Sequence, residues 1–133
     1  MRKFRVYDEI QKRYYDTNHD YLEPFLNQNG ELLFLDWKAN NGCSFIPNQN
    51  NKNYIVEFSS GFIVKGKEVF QGDKVKHSCV YHGENWTLEG NVFQNDSGIW
   101  VILFKNGNEV GLWDEIYNKE CCIEVIGTIH EGQ

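Results

Sequence analysis

The second half of this 133-residue chain is cut by turn signals at intervals too short for anything but strands. Gly72-Asp73, His82-Gly83-Glu84-Asn85, Gln94 to Gly98 and Asn106-Gly107 leave runs of about six to eight residues between them. Lys74 to Tyr81 alternates, with Val75, His77, Cys79 and Tyr81 on one face. Trp86 to Phe93 follows, with Gly90 expected at a bulge or bend. Ile99 to Phe104 is almost continuously apolar and reads as a buried central strand. Asn106-Gly107 is the strongest hairpin signal, pointing to a type I′ turn with positive φ at both residues. Glu109 to Trp113 returns, Asp114 to Glu120 connects with room for one helical turn, and Ile123 to Ile129 closes the set. Five short strands in about sixty residues bury one face by curling. The expectation is a mainly β chain, with a small, partly open SH3-like barrel over about residues 72–131. An N-terminal hairpin and further strands pack on it.

The first half is looser. Phe4 to Asp8 alternates as a strand, Glu9 to Lys12 turns, and Arg13-Tyr14-Tyr15 returns. Asp16 to Asp20 is a polar break. Tyr21 to Leu26 has helical spacing but contains Pro24, so a short helical turn is the most it allows. Asn27 to Gly30 is a turn and Glu31 to Trp37 a strand. Lys38 to Asn53, rich in Asn, reads as a long exposed loop with Cys43 to Pro47 pinning it, and such loops are often functional. Tyr54 to Phe58 is a strand that Ser59-Ser60-Gly61 ends. The chain is read as one domain, with strands and the Asn-rich loop over 1–60 and the barrel over 61–133.

Composition narrows the function classes. Aromatics make up 15% of the chain, which suits pleated, half-buried surfaces. The formal net charge of −6 works against non-specific polyanion binding. Basic residues gather at the start (Arg2, Lys3, Arg5, Lys12, Arg13) and acidic ones near the end (Asp114, Glu115, Glu120, Glu124, Glu131), so oppositely charged faces could pair between subunits. The longest apolar run, Ile99 to Phe104, is too short to span a bilayer. With no signal-peptide pattern at the start, the expected location is cytoplasmic. There Cys43, Cys79, Cys121 and Cys122 are expected as free thiols.

Candidate sites are few. His77-x-Cys79-x-x-His82 could bring three ligands to one ion, with Cys121 or Cys122 as a fourth. Its spacing fits none of the usual zinc patterns, and a free buried thiol beside partly exposed imidazoles is the simpler reading. No cofactor and no bound metal are expected. Gly61-x-x-x-x-Gly66-Lys67 fails as a phosphate loop because Glu68 stands where Ser or Thr is needed. There is no Gly-x-Ser-x-Gly elbow, and nothing places a His and a carboxylate beside Cys43. Nucleic acid is the competing partner: Arg2, Lys3, Arg5, Arg13, Lys65, Lys67, Lys74 and Lys76 could form a stripe with Tyr7, Tyr14 or Tyr15. Of the tryptophans, Trp86, Trp100 and Trp113 fall in barrel strands. Trp37 borders the Asn-rich loop, so Trp37 and Phe45, with Arg5 and Arg13 on the first hairpin, are the expected protein-contact surface. Gly72 is expected to supply a positive φ, and Asp73 a side-chain bond to the backbone that starts the next strand.

Three segments resemble the YopX family of phage and prophage proteins. They are Lys3-Phe4-Arg5-Val6-Tyr7-Asp8, then Ser60-Gly61-Phe62 with Gly66 to Lys76, and last Glu124-Val125-Ile126-Gly127-Thr128-Ile129-His130-Glu131. Their order and their positions at start, middle and end carry the resemblance. Tyr21 to Asn53 departs from the family pattern, as do Thr128 and His130, where Asn and Tyr are more usual. The resemblance implies a β-rich protein of phage or prophage origin in a bacterial host. It brings no established activity and no catalytic residues. The expected function is non-catalytic: an accessory protein acting through protein contacts, with itself or with a host protein.

Overall fold

A computed structural model describes residues 3–15, 22–36, 44–47 and 54–131. The chain is mainly β and divides into two compact units. One is Phe4–Glu57; the other joins Met1–Lys3 to Phe58–Gln133. Trp37 lies outside the described residues, as does most of the Asn-rich segment.

In the first unit, β1 (Phe4–Asp8) pairs antiparallel with β2 (Arg13–Tyr14), Tyr7 facing Tyr14. The Asp8 carboxylate accepts the N–H groups of Ile10 and Gln11 and holds the turn. A three-stranded sheet is formed by β3 (Leu22–Leu26), β4 (Leu32–Asp36) and β5 (Ser44–Pro47), in that order. Two expectations change here. Among the described residues Leu22–Leu26 is a strand rather than a helical turn, and it accommodates Pro24 at the end of the order β3-β4-β5, the position in a sheet where proline is tolerated. The Asn-rich segment is not all loop either, since Ser44–Pro47 pairs with β4 and Phe45 stands opposite Leu35. Val6, Leu32 and Phe34 form this unit's core, with Phe4, Tyr15, Leu26, Tyr54 and Val56 packed on them.

Beside that core lies a buried acid. Glu57, 2% exposed, accepts hydrogen bonds from Arg5 Nε at 2.8 Å and the Tyr14 hydroxyl at 2.8 Å, and the Arg5 guanidinium also stacks on the Tyr14 ring. Burying a carboxylate is tolerable only with such partners.

In the second unit, β6 (Tyr54–Val64) runs 11 residues, beginning in the first unit. Ser59-Ser60-Gly61 does not end it. Ser59 pairs with Phe70 of β7 (Lys67–Phe70), and Ser60, Gly61 and Phe62 form a bulge before Ile63 pairs with Glu68, with Gly61 at φ 82° and the Ser60 hydroxyl donating to the Val69 carbonyl. The half-barrel that follows is one curled sheet. Its strands are β8 (Asp73–Tyr81), β9 (Glu84–Gln94), β10 (Trp100–Phe104), β11 (Glu109–Gly111) and β12 (Cys121–Thr128), in the order β11-β10-β9-β8-β12. Between β11 and β12 the chain makes one short helix, α1 (Leu112–Ile116), where a strand had been expected to reach Trp113. A five-residue helix is not stable alone. Complete burial of Leu112 in the core anchors it, and Asp114 and Glu115 in its first turn suit the helix dipole. The core is Val64, Val69, Val75, Val92, Ile102, Phe104, Leu112 and Ile123.

Two turn designs recur. Lys65-Gly66 and His82-Gly83 are two-residue turns with positive φ at both positions. Gln28 to Gly30, Asp96 to Gly98 and Lys105 to Gly107 are three-residue loops with glycine last and left-handed. The Asn106-Gly107 turn is therefore not type I′, because only Gly107 has positive φ. In the other two loops the residue before them, Asn27 or Asn95, accepts two backbone N–H groups through its side chain. At the start of the half-barrel, Gly72 has φ 88° and the Asp73 carboxylate accepts the Phe70 N–H at 2.8 Å. Gly72 also donates to the Val92 carbonyl and accepts from Ile129, tying β9 and the end of the chain to this corner.

The register of β8 against β9 is continuous through Gly90, so no bulge forms there. Glycine is needed for room: an added Cβ would lie 2.6 Å from Ile102 Cγ2 and 2.9 Å from the Leu103 carbonyl oxygen. The carbonyl cannot rotate away. Gly90→Ala is expected to destabilise the chain by about 1–3 kcal/mol, read as a lower denaturation midpoint. Arg5→Ala removes the guanidinium that donates to buried Glu57 and is expected to cost about 3 kcal/mol. The double variant Arg5→Met/Glu57→Leu should recover much of that loss in the same assay.

Candidate functional site

The curl of the half-barrel brings four metal-ligating side chains together at one end of its inner face. Strand alternation on β8 points Val75, His77 and Cys79 inward. On β12 the register sets Ile123 opposite His77 and Cys121 opposite Cys79. The Val80 N–H bonds to the Glu120 carbonyl, which makes the next pair, Cys79 and Cys121, a non-hydrogen-bonded one. Such pairs approach most closely, and these two Cα atoms are 4.1 Å apart. The sulfurs are joined in a disulfide. The expectation of four free thiols is thereby corrected for two of them: cross-strand register supplies a proximity that sequence separation conceals.

Glu115 comes from α1. Its carboxylate meets His77 Nε2 at 2.9 Å, and that same nitrogen lies 3.4 Å from Cys79 Sγ. The ligand atoms of His77, Cys79, Glu115 and Cys121 all lie within 4.8 Å of one another. His77 is 2% exposed. Its ring is flanked by Trp86 at 5.3 Å and Phe104 at 5.7 Å between centroids. Trp86 stands opposite Cys79 on β9 and is half-exposed, so it covers the cluster from outside. A shallow pocket of about 480 Å³ reaches Cys79, Trp86 and Cys121 from the surface, beside Lys119.

This geometry does not make a nucleophilic triad. A working base takes the proton from the nucleophile on one ring nitrogen and is oriented through the other. Here the Cys79 sulfur lies 3.4 Å from Nε2 and 3.9 Å from Nδ1, so it sits over the ring rather than in line with either nitrogen, and it is already bonded to Cys121. The arrangement suits metal ligation or thiol–disulfide chemistry, both of which need sulfurs and a borderline base close together.

The other sequence candidates are dispersed. His82 is not in the cluster; it occupies the β8–β9 turn at φ 50°. Cys122 is exposed on the opposite face of β12 from Cys121. There its sulfur raises the pKa of Lys65 through a hydrogen bond. Arg5 is held by Glu57, while Arg13 Nε donates to the Gln11 side chain at 2.8 Å. Of the basic stripe, Lys3 pairs with Glu68 at 2.7 Å, an interaction that lowers the Glu68 pKa. Tyr7 is buried, and Tyr14 donates its hydroxyl to Glu57 with the Arg5 guanidinium over its ring. Glu115 and the disulfide are what sequence reading missed. Cys79 and Cys121 sit on strands with matching inward alternation, but nothing local says that β8 and β12 are neighbours.

No protein-family model and no curated protein sequence matches the chain. Among solved structures it is similar to the crystal structure of protein YopX from Bacillus subtilis. Identity is 20%, the match covers 96% of this chain and 91% of that one, and the TM-score is 0.64. At that identity the likeness is one of fold. It agrees with the resemblance read from the three sequence segments.

Reduction of the Cys79–Cys121 disulfide opens a loop closed across 42 residues. In the chain-entropy account this lowers stability by about 4 kcal/mol. The expected result, with a chelator present, is a lower denaturation midpoint for the reduced chain than for the oxidised one. Cys122→Ser should show the same difference.

Proposed function

We propose that this chain is a non-catalytic accessory protein of phage or prophage origin. It works in the bacterial cytoplasm by adding a protein strand to the free edge of β12. One observation carries the reading. β12 is an eight-residue strand at the end of its sheet, paired with β8 on one side only among the described residues. Most edge strands are short or heavily charged, because a long bare edge recruits another chain. Within Cys121–Thr128 the only charged side chain is Glu124, the register is regular from Cys121 to Val125, and Ile126, 40% exposed, stands at the bulge that follows.

The occupant we favour is a second copy. Antiparallel copies of one edge match donor to acceptor across a two-fold axis, so any free edge is complementary to itself. Against a nucleic-acid partner stand the negative net charge and the pairing of Lys3 and Arg5 with carboxylates. The fold shared with YopX supports a family setting and adds no activity.

Light scattering of the oxidised chain should show a dimer that Ile126→Lys converts to monomer with its fold intact by circular dichroism. A wild-type chain that stays monomeric at high concentration defeats self-pairing. Capture from a bacterial lysate, with nuclease in one arm, then decides between a host protein, which persists, and nucleic acid, which is lost.

A further inference from the structure

We propose that the dithiol form of this chain binds one Zn²⁺ through Cys79 Sγ, Cys121 Sγ, His77 Nε2 and a Glu115 carboxylate oxygen. Disulfide and metal are then alternative states of one site. The inference is independent of what pairs with β12.

The spacing fits a single ion. Tetrahedral zinc, with bonds of about 2.0–2.3 Å, holds its ligand atoms about 3.3–3.8 Å apart. His77 Nε2 is already 2.9 Å from Glu115 and 3.4 Å from Cys79 Sγ, and the whole set lies within 4.8 Å. Once the disulfide opens, the two sulfurs need only part by side-chain rotation. The donor set is also selective. Two thiolates and an imidazole favour zinc over the hard cations magnesium and calcium, which take oxygen ligands. Charge is nearly balanced, since two thiolates and one carboxylate meet a dication.

A structural cystine does not account for its surroundings. A disulfide needs no polar neighbours, and an inner barrel face favours apolar ones. Here a histidine 2% exposed and a glutamate from a separate helix converge on it. Ligands from two strands and one helix, with Trp86 and Phe104 packed on the imidazole, give a site held on rigid elements, with His77 and Cys79 buried and Glu115 and Cys121 partly exposed.

The redox step is balanced by a dithiol reductant. The reductant passes two electrons and two protons to the Cys79–Cys121 bond, giving two thiols, and becomes a disulfide itself. Zn²⁺ then replaces the two thiol protons. Cys121 is the less buried of the two cysteines, and it is the side from which the reductant approaches.

The test uses the full untagged chain, oxidised or reduced by a phosphine under argon, with Zn²⁺ titrated against a chromophoric chelator. The expected result is one tight equivalent per reduced chain and none for the oxidised chain. Co²⁺ in place of zinc should give the intense bands of a tetrahedral thiolate site. Cys121→Ser and Cys79→Ser should weaken binding by at least about 100-fold, Glu115→Gln by about 10–100-fold, and His82→Ala and Cys122→Ser should leave it unchanged. The proposal is overturned if the reduced wild type binds zinc no more tightly than the oxidised one. It is equally overturned if binding survives loss of Cys121 but not of Cys122. The wild-type comparison depends on no variant, so a misfolded substitution does not blunt it.

Discussion

The pairing of β12 with β8 is the constraint on which the second unit depends. Strands β8 to β11 follow one another through tight turns and pair with their sequence neighbours, which local chain chemistry can accomplish. β12 instead passes over α1 and returns to the far side of β8. That crossing pulls Leu112 into the core, covers Val75 with Val125 and sets Ile123 over His77. It also selects the residues of the cluster. A register one residue different would face Cys122 inward and Cys121 outward, because side chains alternate with period two.

Both units bury an acid or an imidazole, and both surround it with partners from distant segments. Glu57 is met by Arg5 and Tyr14 across the hairpin, and His77 is met by Glu115 across the half-barrel. The two solutions differ in character. Glu57 sits in a charge pair with Arg5, with an aromatic ring stacked over the cation, an arrangement that holds position. His77 sits against two bonded sulfurs and a carboxylate, an arrangement with two chemically distinct states. Stability explains the first adequately, and it leaves the residue choice of the second without a reason.

Turns were the most legible part of the chain, since glycine with positive φ and asparagine side-chain acceptors act within four or five residues. Gly72-Asp73, Asn95 to Gly98 and Asn27 to Gly30 all sit at turns. The misread positions were those where tertiary pairing overrides local preference. Pro24 enters a strand because β4 pairs with that strand, Ser60 to Phe62 bulge because β7 continues beside them, and Gly90 is small because β10 passes close. Of the candidate site, His77 and Cys79 were legible from shared strand parity. Glu115 was not, since a loop and a one-turn helix have no distinctive pattern.

The sequence by itself determined a mainly β chain, the placing of its turns and the inward parity of Val75, His77 and Cys79. Each of these follows from steric and hydrogen-bonding preferences that act over a few residues. Only the tertiary structure decided that Cys121 faces Cys79 and that Glu115 reaches His77. Those contacts span 42 and 38 residues, and they are fixed by which strands become neighbours when one continuous apolar face is buried.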